Sequence, residues 1–147
     1  MKRISMIGSL LLLSSTAMAQ QAYNISLDLK NVKNDQVKVV VHTPEVAETQ
    51  TTYIIPSVIP GSYSKKDYGR FVSQFKAYDA KGRKLKAVKQ GNNLYLIKKA
   101  NKLARIEYLV DDTWDVEKED NYIFQPGGTN IDAGNNFVIN HFGFYGY

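Results

Sequence analysis

Apolar residues recur at every second position from residue 23 onward, and this period limits the folds open to the chain more than any other feature. In the stretch YNISLDLK, Tyr23, Ile25, Leu27 and Leu29 fall on one side, with Asn24, Ser26, Asp28 and Lys30 on the other. That is the signature of a half-buried strand. Further short strand-like runs follow at residues 37–42, 51–55, 71–79, 83–88, 94–97, 104–110, 122–124 and 137–139. Gly82, and Gly91 followed by Asn92 and Asn93, provide the positive φ angles of tight turns. Pro44, Pro56 and Pro60 separate runs because proline cannot donate to a strand ladder. No window shows sustained helical periodicity, and neither a repeat nor a linker divides the chain. The pattern predicts an all-β fold, an antiparallel β-sandwich forming a single domain.

The first residues have a different character. Lys2 and Arg3 precede an apolar run over residues 4–13, and Ala17, Met18 and Ala19 close it with a small-x-small pattern. This is the layout of a secretory signal peptide cleaved after Ala19. The apolar run is about ten residues, half of the roughly 20 that cross a bilayer. Residues 1–19 are therefore expected to be the leader and 20–147 the mature domain, periplasmic or secreted, without an integral membrane segment. Cysteine is absent from the chain and only His42 and His141 are present, which excludes disulfides, thiolate metal sites and a cysteine nucleophile. Formal charge is +5, a mild value that falls to +3 with Lys2 and Arg3 removed, and no nucleic-acid partner is expected.

The densest motif is IPSVIPGSYSKKDYGRF over residues 55–71. Pro60 and Gly61 favour a turn, and Tyr63 and Tyr68 can pack a ring while keeping the hydroxyl wet. Lys65, Lys66, Asp67 and Arg70 add charge around them. Read from spacing alone, this is a structural corner between sheets. The stretch resembles the proline-tryptophan-x-proline-glycine-x-tyrosine signature of the glycyl aminopeptidase family, family sixty-one of the zinc metallopeptidases. Pro56, Pro60, Gly61, Tyr63, Asp67, Tyr68 and Arg70 carry the match, with Phe71, Phe75, Ala77, Tyr78, Asp79, Gly82 and Leu85 downstream. Val58 departs from it by replacing the tryptophan.

The resemblance implies a non-catalytic N-terminal β-sandwich followed by a zinc catalytic domain beyond residue 147. Family chemistry resides in HExxH, two histidines one helical turn apart with a glutamate base. Neither His42 (HTPEV) nor His141 (HFGFY) begins such a motif. No catalytic residue, metal ligand or cofactor is therefore expected in this chain, and zinc is implied only for the missing domain. The expected partner is that domain, within the same protein, with a peptide as possible substrate. Pro60, Gly61, Tyr63, Tyr68 and Arg70, together with the late aromatics Phe142, Phe144 and Tyr145, are the candidate docking or corner residues. The segment FVINHFGFYGY that carries those late aromatics reads as a final strand. A free-standing periplasmic module that binds peptide or carbohydrate through its tyrosines is the competing reading.

Charge is segregated along the chain. Residues 81–105 hold nine basic side chains and no acid, which reads as a solvated basic face. Residues 111–120 hold six acids against Lys118, but Val116 and Tyr122 stand where a calcium loop of the EF-hand type needs glycine and glutamate. Trp114 reads as a loop aromatic covering a strand end. Asn24, Ile25 and Ser26 form a glycosylation sequon.

Overall fold

A computed structural model describes residues 22–115 and 122–147. The leader, and Glu117, Lys118, Glu119 and Asp120 of the acidic run, lie outside the described residues. Among the described residues ten strands follow one another: β1 (Asn24–Lys33), β2 (Gln36–His42), β3 (Gln50–Ile54), β4 (Val72–Asp79), β5 (Lys84–Leu85), β6 (Ala87–Gln90), β7 (Leu94–Lys98), β8 (Leu103–Asp111), β9 (Thr129–Asp132) and β10 (Asn136–Ile139). One sheet has the order β1-β2-β8-β4-β5, a second the order β3-β7-β6, and β9 with β10 form a separate hairpin. Every pairing is antiparallel.

The two sheets share one core. Val37, Val39 and Val41 of β2 alternate with exposed or half-buried neighbours, as do Ile106, Tyr108 and Val110 of β8. All six belong to one core cluster with Tyr53 of β3 and Tyr95 and Ile97 of β7. β-Branched and aromatic side chains at period two are what a sheet buried on one face selects. The register pairs Leu27 with Val39 and Ile25 with Val41, so the apolar side of β1 points inward as its alternation demands. Yet β1 is the edge of a five-stranded sheet facing one of three strands. Only Leu27 and Val32 of β1 pack on the core, and Tyr23, Ile25 and Leu29 stay exposed.

β4 departs from strict alternation. Its register shifts between Ser73 and Lys76, and Gln74 sits at φ 51°. One extra residue in a strand makes a bulge and reverses which side later residues face. Val72 therefore points inward, and so do Phe75 and Ala77. The Phe75 ring stacks on Tyr95 with centroids 3.9 Å apart and lies 5.7 Å from Tyr53 and 6.0 Å from Tyr108.

Two sequence expectations are corrected. Residues 122–124 are loop, not strand: Ile123 is buried between exposed Tyr122 and Phe124, as in a strand, but the run joins no sheet. The FVINHFGFYGY segment is a strand only to Ile139, after which α1 (His141–Phe144) makes one helical turn. The Asn140 side chain caps that turn by accepting the Phe142 N–H at 3.2 Å.

Burial raises the phenol pKa of Tyr53 and Tyr108, and pushes Tyr95 up to about 12, since a phenolate loses its hydration in the core. Unfolded tyrosines ionise near 10, so the stability carried by the neutral phenols is whole below that pH. It should be lost progressively as pH rises through the folded-state values. Urea midpoints measured below and above pH 10 should fall on the alkaline side, and a flat profile would contradict the burial of these rings.

Candidate functional site

The Pro60 and Gly61 corner is a tight turn. Ser62 N–H donates to Ile59 C=O at 3.2 Å, and Gly61 takes φ 83°. Proline at the second position and a positive φ at the third define a type II turn, so the PG pair is there for backbone reasons. Beyond it, Lys66 and Asp67 donate their N–H groups to Ser57 C=O at 2.7 and 3.0 Å, folding the loop back on itself. Tyr63 and Asp67 both take left-handed backbone angles, φ 51° and 52°.

Asn93 clamps the loop from the opposite sheet. Its Nδ2 donates to Asp67 Oδ1 at 2.6 Å, and its Oδ1 accepts the Gly69 N–H at 2.8 Å. Lys89 Nζ adds a bond to Gly69 C=O at 3.1 Å. A Cβ at position 69 would collide with the Asn92 carbonyl, so glycine is required for this approach. The Arg70 guanidinium lies 4.6 Å over the Phe71 ring. The GNN turn that reads only as a hairpin in the sequence thus also fixes the corner.

Tyr68 is the pin of the assembly. It is buried, and its hydroxyl donates to Gly127 C=O at 3.1 Å. Its ring lies so close over Gly143 of α1 that a Cβ there would run into it. The two candidate groups, the corner and the late aromatics, are thereby brought together. Burial raises the Tyr68 phenol pKa, which suits it to donate rather than ionise. Phe144 is fully buried and Tyr145 half-buried, with rings edge to face at 5.4 Å. Tyr63 and Phe142 are different: they are 97% and 52% exposed.

Between these parts opens a cleft of about 450 Å³, lined among others by Ile59, Pro60, Gly61, Ile123 and Phe124. Phe124, 68% exposed, and Tyr122, with Lys66 Nζ 5.7 Å above its ring, form the far lip. Sequence reasoning missed this second wall, because the YIF run looked like a strand and nothing local linked it to the corner. Trp114 ties the wall to the end of β8, its Nε1 donating to Gln125 C=O at 3.0 Å.

Among the described residues, no group of three or more His, Cys, Asp or Glu side chains is gathered to hold a metal. His42 stands at the end of β2, and His141 lies in α1 with its ring 4.3 Å from Phe142. The described residues do not fit a zinc site. Of the acids, Asp112 spends its carboxylate on backbone N–H groups of Trp114 and Ile131, and Asp111 accepts from Gln36 Nε2. No described helix is long and apolar enough to cross a membrane.

Fold and corner together define a β-sandwich domain whose most elaborated surface is an apolar-lipped cleft beside a proline-glycine turn. Residues 23–147 match the Peptidase M61 N-terminal domain, and the chain belongs to that family. The sandwich is also similar to a crystal structure of an aminopeptidase N family protein from Idiomarina loihiensis, with a TM-score of 0.56 and 18% identity. That likeness, which is one of fold, covers 65% of this chain and 16% of the other, so the chain spans a small part of that protein's length. No curated protein matches the chain.

Proposed function

We propose that this chain is the non-catalytic N-terminal domain of a periplasmic or secreted zinc aminopeptidase-like protein, and that its corner packs against the catalytic domain. Residues 1–19 are the export leader in this reading, and peptide cleavage and zinc belong to the domain that follows. The observation that carries it is the arrangement around buried Tyr68. The pin consumes Tyr68, Gly143 and Phe144 internally, yet leaves Phe124 exposed at the lip of a formed cleft, and Tyr63 and Phe142 exposed on the segments that adjoin its lining residues Ser62, Ser64 and Asn140. Rigid support under exposed aromatics is the anatomy of an interface.

The docking residues are therefore Tyr63, Phe142 and the newly recognised Phe124, while Tyr68, Phe144 and the Pro60-Gly61 turn support them. Covering one such ring stabilises an interface by on the order of 1.5–3 kcal/mol. Hydroxyl-radical footprinting of the domain alone, and of the protein extended through its catalytic domain, tests the packing. The three rings should react freely in the first and be protected in the second. Equal reactivity in both would remove the corner from the interface.

A further inference from the structure

The formal charge of the whole chain is +5, and one end of the sandwich carries as much by itself. There a basin of about 520 Å³ is walled by Arg83, Lys84, Lys86, Lys98, Lys99 and Lys102 against a single carboxylate, Asp79. Three stretches of chain supply these cations: the Gly82 turn with β5, the end of β7, and the 3-10 turn Ala100–Lys102. Backbone hydrogen bonds hold the stretches together. Lys98 N–H donates to Lys86 C=O at 2.9 Å, Lys102 N–H to Lys99 C=O at 3.0 Å, and Ala100 N–H to Thr49 C=O at 3.0 Å. Asp79 N–H donates to Arg83 C=O at 3.0 Å. The fold itself gathers these lysines around one basin.

Asp79 leaves the lysines unneutralised. Its Oδ1 accepts the N–H groups of Lys81 and Arg83, both at 2.9 Å, and its Oδ2 accepts Arg83 Nε at 2.7 Å. Those bonds, the Arg83 N–H first among them, hold its carboxyl below the ordinary 3.8 and keep it ionised for Arg83. The ion pairs among the described residues involve Lys38, Lys65, Arg83 and Arg105, and none of the five basin lysines. Five lysines that line one basin without an ion pair of their own repel one another, and a multiply charged anion relieves that repulsion. Lysine recognises such an anion as a point charge on a flexible stem, which suits tetrahedral phosphate oxygens approaching from several directions.

We propose that this basin is a binding site for clustered phosphate groups, on a diphosphate-type headgroup or a short free polyphosphate. The site lies apart from the corner and stands whether or not the corner docks a second domain.

Titration calorimetry of the chain with inorganic tripolyphosphate tests the proposal, at low and at physiological ionic strength. Binding should be measurable and should weaken with salt. The triple variant Lys84→Gln, Lys86→Gln, Lys98→Gln should weaken it roughly 100-fold, given the contribution of a lysine at an anionic surface. All three side chains are exposed, so the unfolding midpoint should not move. A comparison triple, Lys30→Gln, Lys33→Gln, Lys76→Gln, removes equal charge outside the basin and should change affinity less than about threefold, as a screened distant field does. Sedimentation with vesicles of four parts phosphatidylcholine to one of cardiolipin separates the sources: basin-dependent capture assigns a headgroup, and tripolyphosphate binding alone assigns a free ligand. Absence of tripolyphosphate binding, equal loss in both triples, or tighter binding of a DNA duplex through the same lysines would overturn the proposal.

Discussion

Tyr108→Ala is expected to lower the unfolding free energy by about 3–5 kcal/mol, as other large-to-small changes at buried aromatics do. A domain of this size has on the order of 5–15 kcal/mol in total, so the variant should sit close to its unfolding transition. Tyr108 is 1% exposed and lies on β8, between β2 and β4 in the larger sheet. Its ring faces Phe75 at 6.0 Å and Tyr53 at 6.1 Å, so truncation opens a cavity bounded by aromatics that cannot all close in. The hydroxyl adds a second loss. It donates to Phe144 C=O at 3.3 Å and shares a bond with Tyr53 OH at 3.2 Å, and Tyr53 OH in turn accepts the Gly146 N–H at 3.0 Å.

Tyr108→Phe separates the two losses, retaining the ring and removing only the hydroxyl. It should cost about 1–3 kcal/mol, the penalty for a buried group left without its partner. Urea unfolding of both variants gives the magnitudes. Amide exchange at Gly146 should accelerate in Tyr53→Phe, since that hydroxyl tethers the segment after α1. A loss below about 1 kcal/mol for the alanine variant would mean that the core closes over the gap and that the aromatic cluster is not rigid.

Tyr108 also shows what the linear pattern reveals. Ile106, Tyr108 and Val110 alternate cleanly, and so do Val37, Val39 and Val41, so the central strands of the larger sheet are legible from period two alone. The bulge in β4 leaves a trace as well: Val72 and Phe75 are three apart, a spacing that no regular strand could bury on one face. Sheet order is different. Placing β8 between β2 and β4 joins residues 63–75 and 24–38 positions apart, and nothing in a local window encodes such pairings.

At the corner, the Pro60-Gly61 turn announces itself, because only certain residues tolerate its backbone angles. The partners of that turn do not. Asn93 clamps Asp67 and Gly69 from another sheet, and Gly127 and Gly143 meet Tyr68 from segments that approach only after folding. β9 escapes the pattern because TNID holds a single apolar residue, Ile131. The helical turn at His141–Phe144 is likewise too short for periodicity, and is set by the Asn140 cap and by the space Gly143 leaves for Tyr68.

Asp112 shows how an acidic run that suggests a cation instead serves the backbone. The side chain is buried, at 7% exposure. Its Oδ1 accepts the Trp114 N–H and its Oδ2 the Ile131 N–H, both at 2.5 Å, and its own N–H donates to Asp35 C=O at 3.0 Å. One carboxylate thus joins the end of β8 to β9, and the bonds between Thr113 and Thr129 continue the seam. Asp112→Ala leaves buried donors on both sides without an acceptor, and should cost about 3–5 kcal/mol by analogy with breaking a buried charge-assisted pair. Asp112→Asn discriminates seam from simple burial. An asparagine accepts at one oxygen only, and its NH₂ must then face either the Trp114 or the Ile131 N–H, donor against donor. It should therefore recover at most half of the loss, whereas a purely steric role would be restored in full. Because β9 and the Gln125–Gly127 turn support the lip of the cleft, amide exchange in both variants should rise first at Gly128, Thr129 and Ile131, ahead of the central strands. Exchange that rises instead in β2 and β8 alone would show that the hairpin is held by other means, and that the corner does not depend on this carboxylate.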